Sequence, residues 1–220
     1  MGNTAVIIGV DDPFGIALCR SLLERDWTVF GGTTGEQGKS ADTDRSGRFY
    51  RVPMDPCSIT ALEAASATVG SEVDQVDLLI CNIDTAQNTP SSDGLDFEAM
   101  KRVYDAGALG TLRFIEAFLP LTRNGLRRLC FIDDAHGSIE MASGGDDIGN
   151  RLSKAALRMA CMILSNHLRK EGYTFRIYLP SLEPSHHEMC ARFATDYFLA
   201  DREDEFRMTI LDHQGDEWPL

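Results

Sequence analysis

The sequence predicts an α/β fold built on a doubly wound parallel sheet, a single domain over residues 1–220. Three observations lead there. Short apolar runs rich in β-branched and aromatic residues alternate with helical patterns along the whole chain. Several of those runs are continuously apolar, as strands buried on both faces are. The 220 residues, 43% hydrophobic and 25% charged, suffice for one substantial core.

In chain order, TAVIIGV (4–10) predicts the first strand and LCRSLLER (18–25) a helix behind it. WTVFGG (27–32) and the weaker FYRVPM (49–54) predict the second and third strands. SITALEAASATV (58–69) predicts a helix with Ser58 as its cap, followed by a strand at DLLICNI (77–83). FEAMKRVYDAGALGTLRFIEAFLPL (97–121) predicts one long helix, and RLCFID (128–133) the fifth strand. RLSKAALRMACMILSNHLRK (151–170) is apolar on two faces: Leu152, Ala156, Met159, Ala160 and Ile163 form one stripe, and Leu157, Cys161, Leu164 and Leu168 another. Such a helix needs two partners, one of which can be another subunit. FRIYLP (175–180), HHEMCARFATDYFLA (186–200) and FRMTILD (206–212) complete the alternation.

Composition restricts the partners. The net charge is −13, from 21 basic and 34 acidic residues, so long-range forces oppose nucleic acid and anionic membranes as partners. No apolar run is long enough to span a bilayer and no signal-peptide pattern opens the chain, so a cytoplasmic location is expected. The six cysteines, Cys19, Cys57, Cys81, Cys130, Cys161 and Cys190, are widely spaced inside mostly apolar segments, which fits reduced thiols and no metal site. His186 and His187 lack a carboxylate at ligand spacing and read as solvated.

GVDDPFGIA (9–17) stands between the first strand and its helix, where a phosphate-binding turn would lie. Gly9 and Gly15 suit such a turn, but Asp11, Asp12 and Pro13 bring two carboxylates and a residue without an N–H. The two aspartates either stand in solvent, one of them capping the helix, or exclude phosphate.

With these motifs in place, the chain resembles the short-chain dehydrogenase/reductase family from end to end. The family's TGxxxGxG falls on Gly9 to Gly15 with Pro13 for the middle glycine, its adenine-contacting Asp on Asp55, and its NNAG on Cys81, Asn82, Ile83 and Asp84. DAGALGTLRFIEAFLPL resembles the helix carrying the catalytic Asn, with Gly107 at that position. Lys154 in RLSKAAL matches the lysine of YxxxK, which places Asn150 where the family has its catalytic Tyr, and Asp134 falls on the catalytic Ser. LPSLEP and FRMTILDHQGDEW resemble the turn after the sixth strand and the terminal strand. The resemblance implies a Rossmann-type sheet with a shortened substrate lid at SLEPSHHEM.

It also implies lost chemistry. Asn150 has no titratable proton, Asp134 would oppose a developing oxyanion, and Thr33 and Thr34 stand where the family selects its ribose. Gly9, Gly15, Asp55 and Asn82 are then vestiges of a cofactor site, Lys154 is a vestige or a solvated lysine, and no cofactor is expected in this chain. The expected role is a non-catalytic subunit that stabilises an active family member holding NAD or NADP. The two would join through the long helices as a heterotetramer, by analogy with hydroxyacyl-CoA and 3-oxoacyl systems that contain a silent subunit. Two alternatives stay open. One is an atypical NAD(P)-dependent oxidoreductase using Lys154, Tyr104, Ser138, Ser143 or His136, and the other is a dinucleotide-sensing regulator.

Overall fold

The computed structural model describes residues 2–34, 47–85, 94–140, 147–181 and 183–219. Eight strands form one sheet: β1 (Thr4–Ile8), β2 (Thr28–Thr33), β3 (Phe49–Pro53), β4 (Leu78–Cys81), β5 (Arg128–Ile132), β6 (Thr174–Leu179), β7 (Thr209–Asp212) and β8 (Glu217–Trp218). Their order is β3-β2-β1-β4-β5-β6-β7-β8, parallel throughout except for the β7–β8 hairpin. The seven expected strands are all present. β7 starts at Thr209 rather than 206, and the two-residue β8 is an addition.

Alternate residues of each strand feed opposite layers. Val6, Ile8, Leu79, Leu129 and Phe131 pack beneath α2 (Ile59–Glu72), α4 (Gly110–Phe118) and α5 (Ile148–Leu168). Ala5, Ile7, Leu78, Ile80 and Cys130 meet α1 (Pro13–Leu23) and α6 (His187–Leu199) on the other face. Ser58 caps α2, as expected, by accepting from the Ala61 N–H. Helix α1 begins five residues earlier than its apolar pattern, because Asp12 caps it and Pro13 pre-sets its first turn.

The long helix is interrupted. Helix α3 (Phe97–Tyr104) runs into a π-helical segment, Asp105–Leu109, before α4 resumes. A one-residue widening leaves no mark on apolar periodicity, so the sequence read as continuous. In α5 the two stripes separate as expected: Leu157, Cys161 and Leu168 are buried, while Leu152, Met159 and Ile163 are 53%, 62% and 60% exposed. Five cysteines are buried, Cys57 is exposed, and all six are free. Among the described residues no helix is long and apolar enough to cross a membrane.

Candidate active site

The order in which strands are added reverses between β1 and β4, which are parallel neighbours in the sheet with β2 and β5 outside them. The carboxyl ends of such strands open a crevice. Here it has a volume of about 380 Å³ and is lined by Asp12, Asn82, Asp84, Asp133, Asp134, His136, Asp147, Asn150, Lys154, Ser181 and His187. Among the described residues five carboxylates face it, against one lysine.

The β1–α1 turn keeps the glycine geometry of a phosphate loop. Gly9 has φ +86°, and a Cβ there would meet the Asn82 carbonyl oxygen at 1.8 Å; one on Gly15 would meet the Gly9 oxygen at 2.3 Å. Asn82, almost fully buried, ties the turn down by donating its Nδ2 to the Gly9 oxygen at 2.6 Å and to Asp12 Oδ2 at 2.7 Å. Asp12 Oδ1 accepts the Phe14 and Gly15 N–H groups at 2.8 and 2.9 Å. Burial raises the Asp12 pKa, against the lowering effect of these hydrogen bonds. The Gly9 and Val10 N–H groups both donate to the Gly32 oxygen at 3.1 Å. Asp11 remains exposed and accepts the Thr34 N–H and hydroxyl at 2.7 and 3.0 Å. The residues present therefore do not fit a dinucleotide: the donors a pyrophosphate needs are held by the chain's own acceptors, in a crevice of the same sign.

Asp55 does not enter the crevice. It is exposed after β3 and accepts the Cys57 N–H at 2.8 Å. Gly107 sits in the π-helical segment, where a Cβ would meet Ser153 Oγ at 2.4 Å and Thr85 Cγ2 at 3.1 Å.

Asn150, Asp134 and Lys154 do converge. Asn150, 1% exposed, accepts from the Thr85 hydroxyl at 3.0 Å and donates to Asp134 Oδ2 at 3.3 Å. Asp134 Oδ1 accepts the His136 N–H at 2.7 Å, and the His136 Nδ1 lies 3.2 Å away. Lys154 is not the solvated lysine that its residue type suggested. It is 6% exposed, and its ammonium lies 3.9 Å from Asp133 Oδ1, an oxygen that accepts no hydrogen bond among the described residues. Asp133 Oδ2 accepts from Arg158 Nε at 2.6 Å. Burial raises the Asp133 pKa, opposed by the two cations. Arg158 also donates to the backbone oxygens of Asp134 and Pro219, at 2.8 and 3.2 Å.

Of the other candidates, Tyr104 lines an apolar groove on the outer side of α3 with Phe97, Met100 and Leu152. Ser138 is buried in the turn after β5, and Ser143 lies outside the described residues. His186 Nδ1 is 3.2 Å from the Ser181 hydroxyl, and the His187 ring meets Phe14 edge-on. Among the described residues no metal-binding group of three gathers. β6 ends at Leu179, and a 3₁₀ turn at Pro184–His186 leads into α6 at His187. Arg158 went unnoticed in the sequence, although its place four residues after Lys154 puts both cations on one helix face.

A family model described as short chain dehydrogenase matches residues 3–182. The C-signal of Myxococcus xanthus is 37% identical over 99 residues, covering 44% of this chain and 60% of its own length. The 1-hydroxy-2-glutathionyl-2-methyl-3-butene dehydrogenase of Rhodococcus sp. (strain AD45) is 23% identical over 180 residues, 82% of this chain and 77% of the enzyme. The NADPH-bound carbonyl reductase from chicken fatty liver superimposes with a TM-score of 0.82 at 18% identity, covering 100% of this chain and 99% of the reductase, a likeness of fold. By the extent of the family match and the sheet that carries it, the chain belongs to the short-chain dehydrogenase/reductase family.

Proposed function

We propose that this chain is a non-catalytic member of its oxidoreductase family, which pairs with an active dehydrogenase or reductase and stabilises it, and that the NAD or NADP of the pair is held by the partner. The observation that carries this reading is the Asn150–Asp134 hydrogen bond. An amide with no titratable proton stands where carbonyl reduction needs an acid, and it is engaged by a carboxylate where a neutral donor should polarise the substrate oxygen. Losing either function costs about 10²-fold or more in rate, and here both are absent together.

The assembly half of the proposal rests on α3 and α5. Phe97 on α3 and the Leu152–Met159–Ile163 stripe on α5 leave apolar surface uncovered in the single chain, next to a groove of about 600 Å³. Apolar surface of this extent on two adjacent helices suits a helix-to-helix subunit contact. The partner fitted to it is a relative with the same two helices and intact catalytic residues. The complex proposed is a hydroxyacyl-CoA or 3-oxoacyl dehydrogenase/reductase.

A second reading has one observation in its favour. His136 and Asp134 form an adjacent imidazole–carboxylate pair in the crevice, which would serve an atypical oxidoreductase as its acid/base couple. Purification of the tagged chain from its native cells, followed by native mass spectrometry, separates the two. The proposal expects a complex containing a second family member with an intact Ser, Tyr and Lys. A chain that is monomeric or solely self-associated contradicts it.

A further inference from the structure

The family's cofactor and this crevice disagree most sharply at one side chain. The turn after β1 retains the backbone course that only glycine allows at Gly9, so the cradle itself is intact. Pro13 does not spoil it either. It occupies the first turn of α1, where a helix has no use for that N–H in its own ladder. What differs is the occupant: the Phe14 and Gly15 N–H groups, aligned at the positive end of the helix, both point to Asp12 Oδ1.

We propose that the Asp12 carboxylate is an internal replacement for the cofactor phosphate. It holds the donors that would bind a pyrophosphate, and it is this side chain, rather than a collapsed turn, that keeps dinucleotides out. The inference rests on the reading that this chain holds no dinucleotide, and extends it by assigning the exclusion to a single residue.

Two features support the assignment. The carboxylate is held from both sides, because Asn82 Nδ2 grips Oδ2 and is itself fixed by the Gly9 oxygen. An incoming phosphate would have to displace a tethered anion that binds without loss of translational freedom. The phosphate would also bring its own charge against whatever carboxylate it displaced, in a partly buried site where like charges are poorly screened. The remaining four carboxylates, Asp84, Asp133, Asp134 and Asp147, also line the crevice, but it is Asp12 that accepts these two N–H groups.

The test uses the full chain and two variants, Asp12→Gly and Asp12→Ser. Serine caps a helix about as well as aspartate but carries no charge, so the second variant preserves α1 if the first does not. Calorimetric titration with inorganic pyrophosphate, with NADPH and with adenosine gives the readout, with thermal melting to verify folding. The expected result is no saturable binding to the unaltered chain. Pyrophosphate and NADPH should bind the variants at least about tenfold tighter, adenosine unchanged. Folded variants that bind pyrophosphate no better, or that gain equally for adenosine, would overturn the assignment to Asp12 and leave the proposed function standing. NADPH binding to the unaltered chain would overturn both.

Discussion

The side-chain amide of Asn150 donates to the carboxylate of Asp134 across 3.3 Å, so the two positions matched by resemblance to the family's catalytic Tyr and Ser engage each other. Asn150 is further held by the Thr85 hydroxyl and lies almost wholly out of solvent. Restoring one partner therefore restores no site. Asn150→Tyr should gain less than about tenfold in nicotinamide-dependent carbonyl reduction, against the 10²-fold or more that an installed general acid supplies in a competent site. The absorbance of reduced nicotinamide follows the reaction, and a 10²-fold gain from this single change would show the crevice to be competent.

Arg158 and Asp133 form a buried pair, with side chains 4% and 0% exposed. Removing one member of such a pair leaves an uncompensated charge, whereas removing both leaves a better-matched interior. Arg158→Met should lower unfolding free energy by about 3–5 kcal/mol in urea titrations, and adding both Asp133→Ser and Lys154→Met, which removes the carboxylate and the second buried cation facing it, should recover most of the loss. Lys154, 3.9 Å from the free oxygen of Asp133, is not close enough to replace the guanidinium hydrogen bond. A single variant as stable as the parent would mean that the pair contributes nothing to the fold.

Glycine inside a helix normally costs about 1 kcal/mol relative to alanine, so replacing it usually stabilises. Gly107 should behave in the opposite way, because the new Cβ would lie 2.4 Å from Ser153 Oγ. Gly107→Ala is expected to destabilise by about 1–3 kcal/mol, and adding Ser153→Ala to return stability to the parent value or above it. Calorimetric melting of the three proteins checks both halves. The same crowding means that the family's asparagine cannot enter at 107 without a change at Ser153.

Much of this fold was legible because its strands are covered on both faces, and continuous runs such as TAVII and LLIC carry that signature in any order of reading. Features that depend on one residue were not. The start of α1 is set by the Asp12 cap and Pro13, ahead of the first apolar stripe. The π-helical break at Asp105–Leu109 inserts one residue without disturbing composition. At the crevice, likeness to the family located Asn150, Asp134 and Lys154, and the structure brings the three together. The burial of Lys154 was hidden because lysine is usually solvated, and its neighbour Asp133 comes from the end of β5, 21 residues away in the chain. Arg158 and Asn82 have structural roles that appear once β5, α5 and the β1–α1 turn are side by side.

If the proposed function holds, this chain alone transfers no hydride, and steady-state turnover measures that directly. The purified protein, free of any companion, is incubated with NADH or NADPH and a panel of aldehydes, ketones and 3-oxoacyl thioesters, and with NAD or NADP and the matching alcohols. Rates indistinguishable from the protein-free background are expected. Sustained dinucleotide-dependent turnover that disappears in Lys154→Ala would contradict the proposed function.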